Sequence, residues 1–397
     1  MNSKMLIGVD LKSEGAGNEL TCRDILELAR QAEKDGFDSV WLNEDIGKDS
    51  VALFGAMSAV TNSIGLVTAI INVYSRSALQ IAMAIATLDE LSHGRASLGL
   101  SIGHHPWNDL GHGIPLEAPL ARLREYIQFI RKALSGQRFT HNGRFFAGVD
   151  TRLGFRPLRH NPPIYVGATR PRMVALAGEM ADGLITNVVT PYYVRNYQVE
   201  QFRSAAQRAG RDPKCLELMA IVTCCPAEDR EAALAHARST FMQRFRSNPA
   251  RMIETQEPIF RAELLALKDL LDRGEIERAQ REASEPMVTS LIAVGNGKDL
   301  WPAARAWPLP LIRAIGYQLS VFSRSWPVGR RAKELSRRTW GHCRISFTER
   351  GSGKSAGLWL GANHAIEIFR LGAFAPLGSP LNRHCVMTLP RSVNNSG

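Results

Sequence analysis

The sequence predicts a parallel (β/α)8 TIM-type barrel, and two observations predict it. Short, continuously apolar runs recur along residues 1–300, and amphipathic stretches of helical period separate them. Runs of the first kind suit strands buried on both faces, and strands that alternate with helices pair in parallel beneath a helical layer. Seven such strands favour a closed barrel over a doubly wound sheet.

Met5–Val9 is the first apolar run. Thr21 followed three residues later by Asp24 makes a capping-box pattern, and Ile25, Leu28, Ala29 and Ala32 then recur at helical spacing to about Lys34. Gly36 supplies the stop before the β-type run Ser39-Val40-Trp41-Leu42, which completes one β-α-β unit. Ile64–Ile71 reads as a strand, Leu79–Leu91 as a helix, Ala96–Leu100 as a strand and Leu120–Leu134 as a helix. Ile164–Gly167, Gly183–Asn187 and Leu218–Cys224 bring the strands to seven, with helical stretches near 171–180, 192–209 and 228–246.

A net charge of +11 would suggest nucleic acid or an anionic surface if it were spread along the chain. It is not: from Trp301 onward fourteen Lys and Arg face three acids, whereas residues 1–300 carry thirty-five charges of each sign. The body therefore reads as a neutral enzyme surface, with a small molecule rather than nucleic acid as partner. Cys22, Cys215, Cys224, Cys225, Cys343 and Cys385 show neither a CxxC pair nor metal-ligand spacing, and read as free thiols of a reducing cytoplasm without a metal site. Asp10, Lys12 and Glu14 come too early for a signal peptide, and no apolar run is long enough to cross a bilayer. A cytoplasmic protein with no membrane partner is expected; the sequence leaves a homodimer open.

In such a barrel, ligands bind at the C-terminal ends of the strands. The second strand is followed by Asn43, Glu44 and Asp45, the third by Asn72, Tyr74 and Arg76, and the fourth by Gly103, His104, His105 and Trp107. Glu44, Asp45 and His104 are candidate catalytic residues, because carboxylates and histidines converging on one rim can move protons. The alternative is that the carboxylates cap helices and the histidines lie on a solvated loop. The fifth strand runs through Gly167, Ala168 and Thr169 into Arg170-Pro171-Arg172-Met173, a small-residue turn before a helix with proline in its first turn. Free amides and the positive helix end would attract an anion there, although a Gly-Ala-Thr turn is also an ordinary connection. No GxGxxG fingerprint follows a strand, and Gly351-Ser352-Gly353-Lys354-Ser355 has Thr348 where a P-loop requires glycine.

The runs Asn72-Val73-Tyr74-Ser75-Arg76, Ala84-Ile85-Ala86-Thr87-Leu88-Asp89-Glu90-Leu91-Ser92-His93-Gly94-Arg95-Ala96 and Leu98-Gly99-Leu100-Ser101-Ile102-Gly103 resemble the luciferase-like monooxygenase superfamily. The TLDELSxGR block is the most specific part. Tyr165-Val166-Gly167-Ala168, Ala181-Asp182-Gly183 and the stretch from Asp38 to Glu44 are similar to further blocks, so the resemblance covers roughly residues 4–297. The Asn-x-Tyr-x-Arg spacing is most similar to the branch that includes F420-dependent methylenetetrahydromethanopterin reductase.

That resemblance implies a (β/α)8 barrel holding coenzyme F420 or FMN across its C-terminal rim. It implies a non-proline cis peptide in a bulge that ends the third strand and backs the cofactor ring, the matching residues being Ile70 and Ile71, with Asn72 next. It also implies that the cofactor phosphate lies at the turn matching Gly167, Ala168 and Thr169. The activity implied is that of an oxidoreductase on a small organic substrate, by hydride transfer or by monooxygenation. Many members of the branch carry histidine where this chain has Asp45, which leaves the proton donor open. The alternatives are a non-catalytic flavin-binding barrel and a nucleic-acid-binding protein acting through its basic tail.

Beyond Gly295-Asn296-Gly297-Lys298-Asp299 the family continues with a helix and an eighth strand, and neither pattern is visible. No aspartate follows Asp299, five of seven tryptophans fall beyond it, and arginines scatter without helical period. The expected organisation is a barrel over residues 1–297 with an incomplete or aberrant eighth β/α unit, then a basic, Trp/Arg-rich segment over 298–397. This segment reads as an appended basic domain, an extended or disordered tail that touches anionic partners, or a frame-shifted ending. The uncapped, period-free composition fits the frame-shifted ending best. A missing eighth strand would leave two exposed edges and poor solubility.

Overall fold

The computed structural model describes residues 6–11, 20–44, 47–103, 108, 111–227 and 229–295, together with the backbone of 314–319, 343–348, 355–360 and 366–370. In chain order the strands are β1 (Leu6–Asp10), β2 (Ser39–Leu42), β3 (Gly65–Thr68), β4 (Ile71–Asn72), β5 (Ala96–Ser101), β6 (Phe139–Asn142), β7 (Ala147–Thr151), β8 (Ile164–Gly167), β9 (Gly183–Asn187), β10 (Glu217–Pro226), β11 (Ile292–Gly295) and β12 (Ala314–Leu319). Strands β1, β2, β3, β5, β8, β9, β10 and β12 pair in parallel in that order, and β12 returns to β1, so a ring of eight closes. β4 continues β3 past a bulge and lies beside β5, with Ile71 opposite Leu100. β11 extends the sheet beside the far end of β10. β6 and β7 form an antiparallel hairpin, and β13 (Cys343–Thr348), β14 (Ser355–Leu360) and β15 (Ile366–Arg370) form a separate antiparallel sheet.

The helices are α1 (Cys22–Lys34), α2 (Ser50–Val60), α3 (Ala78–Leu91), α4 (Pro119–Leu134), α5 (Pro171–Met180), α6 (Pro191–Tyr193), α7 (Val199–Arg208), α8 (Arg230–Ser247), α9 (Pro249–Thr255), α10 (Arg261–Asp272), α11 (Ile276–Glu282) and α12 (Glu285–Leu291). The Thr21–Asp24 capping box forms as the spacing predicts, and Ile25, Leu28, Ala29 and Ala32 are the buried face of α1. Side-chain alternation divides the barrel strands between two cores. Trp41, Val67, Tyr165, Ile185, Met219 and Ile221 fill the interior, whereas Val40, Leu42, Leu66, Leu98, Leu100, Val166 and Leu184 pack outward under the helices. Helices α8 to α12, inserted between β10 and β11, enclose a core of their own around Phe241, Phe245, Met252, Leu264 and Met287.

The eighth strand corrects the expectation of an open ring. β12 lies beyond the break in composition, paired with β1 from Leu6–Ala314 to Asp10–Gln318 and with β10 from Met219–Ala314 to Cys224–Leu319. Six residues suffice for the role, and Ala-Ile-Gly-Tyr-Gln-Leu is too short and too mixed to stand out as an apolar run. The helix of the eighth unit would fall within 296–313, outside the described residues. Of the P-loop-like stretch, residues 351–354 also lie outside them. Among the described residues, no helix is long and apolar enough to cross a membrane.

Candidate functional site at the C-terminal rim

The C-terminal strand ends open into a trough of about 2130 Å³. That is ample for a drug-sized ligand, whose sites usually measure about 300–1,000 Å³. Its wall and floor include Glu44 after β2, Ile70 after β3, Ser101–Gly103 at the end of β5, Gly167–Thr169 after β8, and Asn187 at the end of β9. The third and fifth barrel positions meet there. Ser101 Oγ donates to the Gly167 carbonyl at 2.8 Å, and a Cβ on Gly167 would stand 2.8 Å from Ile70 Cγ2. Only glycine permits that approach. The non-proline cis peptide joins Ala69 to Ile70, one residue before the Ile70–Ile71 pair.

The cofactor residues expected from the sequence fall into two groups. Ile70, Gly167, Ala168 and Thr169 line the trough together. Ile71 and Asn72 lie behind it, buried: Ile71 is in the core beneath the helices, and Asn72 Nδ2 donates to Asn108 Oδ1 while its own Oδ1 accepts the Tyr74 amide. Asn108 in turn donates to the Ile102 carbonyl, and Gly103 sits at φ +63 with no room for a Cβ beside the two asparagines. The pair therefore holds the loop after β5 against β4.

Of the catalytic candidates, Asp45 and His104 lie outside the described residues. Glu44 is buried and fixed. Arg76 clasps it through Nε at 2.9 Å and Nη2 at 2.8 Å, Ser50 donates at 3.0 Å, and its backbone amide donates to the Ile70 carbonyl at 2.9 Å. The same guanidinium pairs with Asp49. Hydrogen bonding to Glu44 outweighs burial and holds the Arg76 pKa above its ordinary value. At Asp49 burial acts upward, but the Ala52 amide and Arg76 bring the carboxyl below its usual range. Glu44 thus ties the β2 end to the turn after β4 as a paired anion.

The turn after β8 leads into α5, a ten-residue helix with proline in its first turn. The Ala168 amide is already bonded to the Ile185 carbonyl at 3.0 Å, so Ala168 contributes smallness rather than a donor. Pro171 has no amide hydrogen and the Met173 amide is bonded to the Arg170 carbonyl at 3.1 Å, so an anion there would meet the amides of Thr169, Arg170 and Arg172. Gln198 and Tyr193 hold the Thr169 carbonyl from behind, at 3.2 and 3.4 Å.

Three trough residues escaped the sequence reading. Asn187 Oδ1 is buried without a hydrogen-bond partner; its signal was its place as the polar side chain that ends β9. Arg244 and Arg251 come from α8 and α9, which fold back over the mouth. Burial, opposed by Cys225 and Asp10 and reinforced by Arg251, lowers Arg244 to about 10; burial and then Arg170 lower Arg251. A guanidinium keeps its charge at neutral pH.

The described family "Luciferase-like monooxygenase" matches this chain over residues 1–302. The chain belongs to this family. A 5,10-methylenetetrahydromethanopterin reductase of Methanolobus tindarius is 35% identical over 224 residues, covering 56% of this chain and 66% of that protein. A putative coenzyme F420-dependent oxidoreductase of Mycobacterium tuberculosis is 31% identical over 250 residues, covering 59% of this chain and 71% of that protein. The solved coenzyme F420 dependent tetrahydromethanopterin reductase of Methanopyrus kandleri has the same fold, with a TM-score of 0.67 at 20% identity over 79% of this chain and 93% of that one. In this luciferase-like barrel the TLDELSxGR block lies at the end of α3 and leads into the start of β5, at the pole opposite the trough. Asp89 is buried and holds Arg159 through Nε at 3.0 and 2.9 Å, and Arg95 donates to the Ser92, Ser58, Thr61 and Ile64 carbonyls.

Proposed function

We propose that this luciferase-like protein is an oxidoreductase that holds coenzyme F420 across the trough and acts on a small organic substrate. The observation that carries the reading is the convergence of Ile70 and Gly167 on one hollow, packed so closely that a Cβ on Gly167 would stand 2.8 Å from Ile70 Cγ2. The residues present fit such a cofactor. Ile70, Ile185 and Ile221 give an apolar floor, Asn187 Oδ1 offers a buried polar atom without a partner, and Thr169 with the first turn of α5 suits an anionic group. FMN is the second reading, favoured by the monooxygenase description of the family itself.

The bound cofactor supplies the hydride, or with FMN the oxygen chemistry, and the chain supplies orientation, water exclusion and a proton. Glu44 sets the rim by anchoring Arg76, and so acts as a positioning residue. Asp45 and His104, next in the chain to the trough residues Glu44 and Gly103, are assigned the proton. Thermal unfolding with each cofactor tests the proposal, because a ligand bound only by the folded state stabilises it. F420 is expected to raise Tm saturably and more than FMN does. A larger shift with FMN would select the second reading, and no shift with either would overturn both.

A further inference from the structure

We infer that Arg244 and Arg251, on the wall facing the cofactor cradle, form a second anion site that receives a phosphate or carboxylate group of the substrate. The inference rests on the oxidoreductase reading and names a substrate class for it. Thr240, Gln243, Arg244 and Ser247 recur at positions i, i+3, i+4 and i+7 of α8 and all line the trough. On the other side of the same helix Ala237, Phe241, Met242 and Phe245 are buried in the insertion core. Thr240 is buried and Arg244 partly buried, whereas Gln243 and Ser247 are exposed, so the stripe runs from the insertion core out to the open side of the trough. Asn248 and Arg251 continue it at the start of α9.

Charge and burial give the stripe its ligand. Arg251 Nε is buried without a hydrogen-bond partner, a cost that a ligand oxygen would remove. Arg170 has its own counter-ion in Glu254 at 3.4 Å, one helical turn beyond Arg251. The other trough carboxylates are engaged elsewhere: Glu44 with Arg76, and Glu125 with the amides of Arg144, Phe145 and Phe146. Guanidinium forks that approach one another across a concave wall match an oxyanion in bidentate fashion.

Position separates this site from the cradle. Arg244 feels Asp10, at the end of β1, and Cys225, on β10. In the eight-strand ring β1 stands four places from β8, and so directly across the mouth from Thr169. Arg251 is within electrostatic reach of both Arg244 and Arg170. A cofactor whose anionic group rests at the start of α5 would leave Arg244 and Arg251 to the molecule opposite its ring.

Calorimetric titration of the full chain saturated with cofactor tests this, with inorganic phosphate in one arm and glutarate in the other. Saturable binding is expected to persist with cofactor bound, the tighter arm naming the group. Arg251→Gln and Arg244→Gln should each weaken it by about tenfold or more, with cofactor Kd within about threefold, and Arg251→Lys, which keeps the charge but not the fork, should recover only part of the loss. Competition between phosphate and cofactor, or an equal loss of both in Arg251→Gln, would overturn the inference and give the arginines to the cofactor. Weak binding indifferent to both variants would show an adventitious ion only. If the variants do not fold, the wild-type competition decides alone. If neither cofactor binds, the oxidoreductase reading fails, and the titration of cofactor-free protein still decides whether Arg251 holds the anion.

Discussion

Arg95 shows how a family's most specific residues can act far from its chemistry. Its guanidinium joins α2, the turn before β3 and the end of α3 by donating to Ser58, Thr61, Ile64 and Ser92. Arg95→Ala would leave several partly buried acceptors unpaired, and a loss of about 2–4 kcal/mol in urea unfolding is expected. Glu33 works nearby, accepting from the amides of Asn62 at 2.8 Å and Ile64 at 3.0 Å and from Ser63. Burial pushes its pKa up, but these donors outweigh burial and hold the carboxyl below its ordinary value of 4.5. A depressed folded pKa means stability that is present above 4.5 and is lost as pH falls through the folded value. Glu33→Gln should therefore lower Tm at neutral pH, with the gap to wild type closing as the solution is acidified below 4.5; a gap independent of pH would contradict the assignment.

Among the elements, the short turn Gly167-Ala168-Thr169 has the sharpest consequence. A side chain at Gly167 meets Ile70 and Ser101 Cβ, at 2.8 and 3.4 Å, and would have to push Ile70 out of its place on the floor where the cofactor is proposed to lie. Gly167→Val is expected to weaken cofactor binding by about tenfold or more, while costing the fold about 1–3 kcal/mol for overpacking. Equal cofactor affinity in a folded variant would argue against the site. This turn was legible because barrel geometry gives strand ends a meaning before any contact is known. The capping box of α1 was legible because it is local. Helix α2 was not: Ser-Val-Ala-Leu-Phe-Gly-Ala-Met-Ser-Ala-Val is apolar around much of its circumference, so no stripe of helical period stands out. The arginines of α8 and α9 were missed for a different reason. Their stripe is readable, but its direction depends on the insertion folding back over the mouth, which is a tertiary fact.

The whole molecule depends on a strand that composition conceals. β12 supplies the pairing that both β1 and β10 require, so the ring closes with chain from beyond residue 297. A chain ended at Ile312 would expose two strands' worth of unpaired backbone, and aggregation in size-exclusion chromatography is expected. A soluble monomer with an unchanged far-UV spectrum would show that closure is dispensable. We propose that the barrel unit, as a folding body, extends at least through β12. Charge follows this boundary closely, because residues 1–319 sum to +2 and the other +9 lies beyond β12.

The central claim is that the ends of the third and fifth barrel strands clasp one redox cofactor. Its most direct test is a fluorescence titration of F420 against the wild type and Gly167→Val in parallel. Saturable quenching by the wild type, with an affinity reduced about tenfold or more in the folded variant, is the predicted result. Unquenched F420 in both, or identical curves for the two proteins, would contradict it.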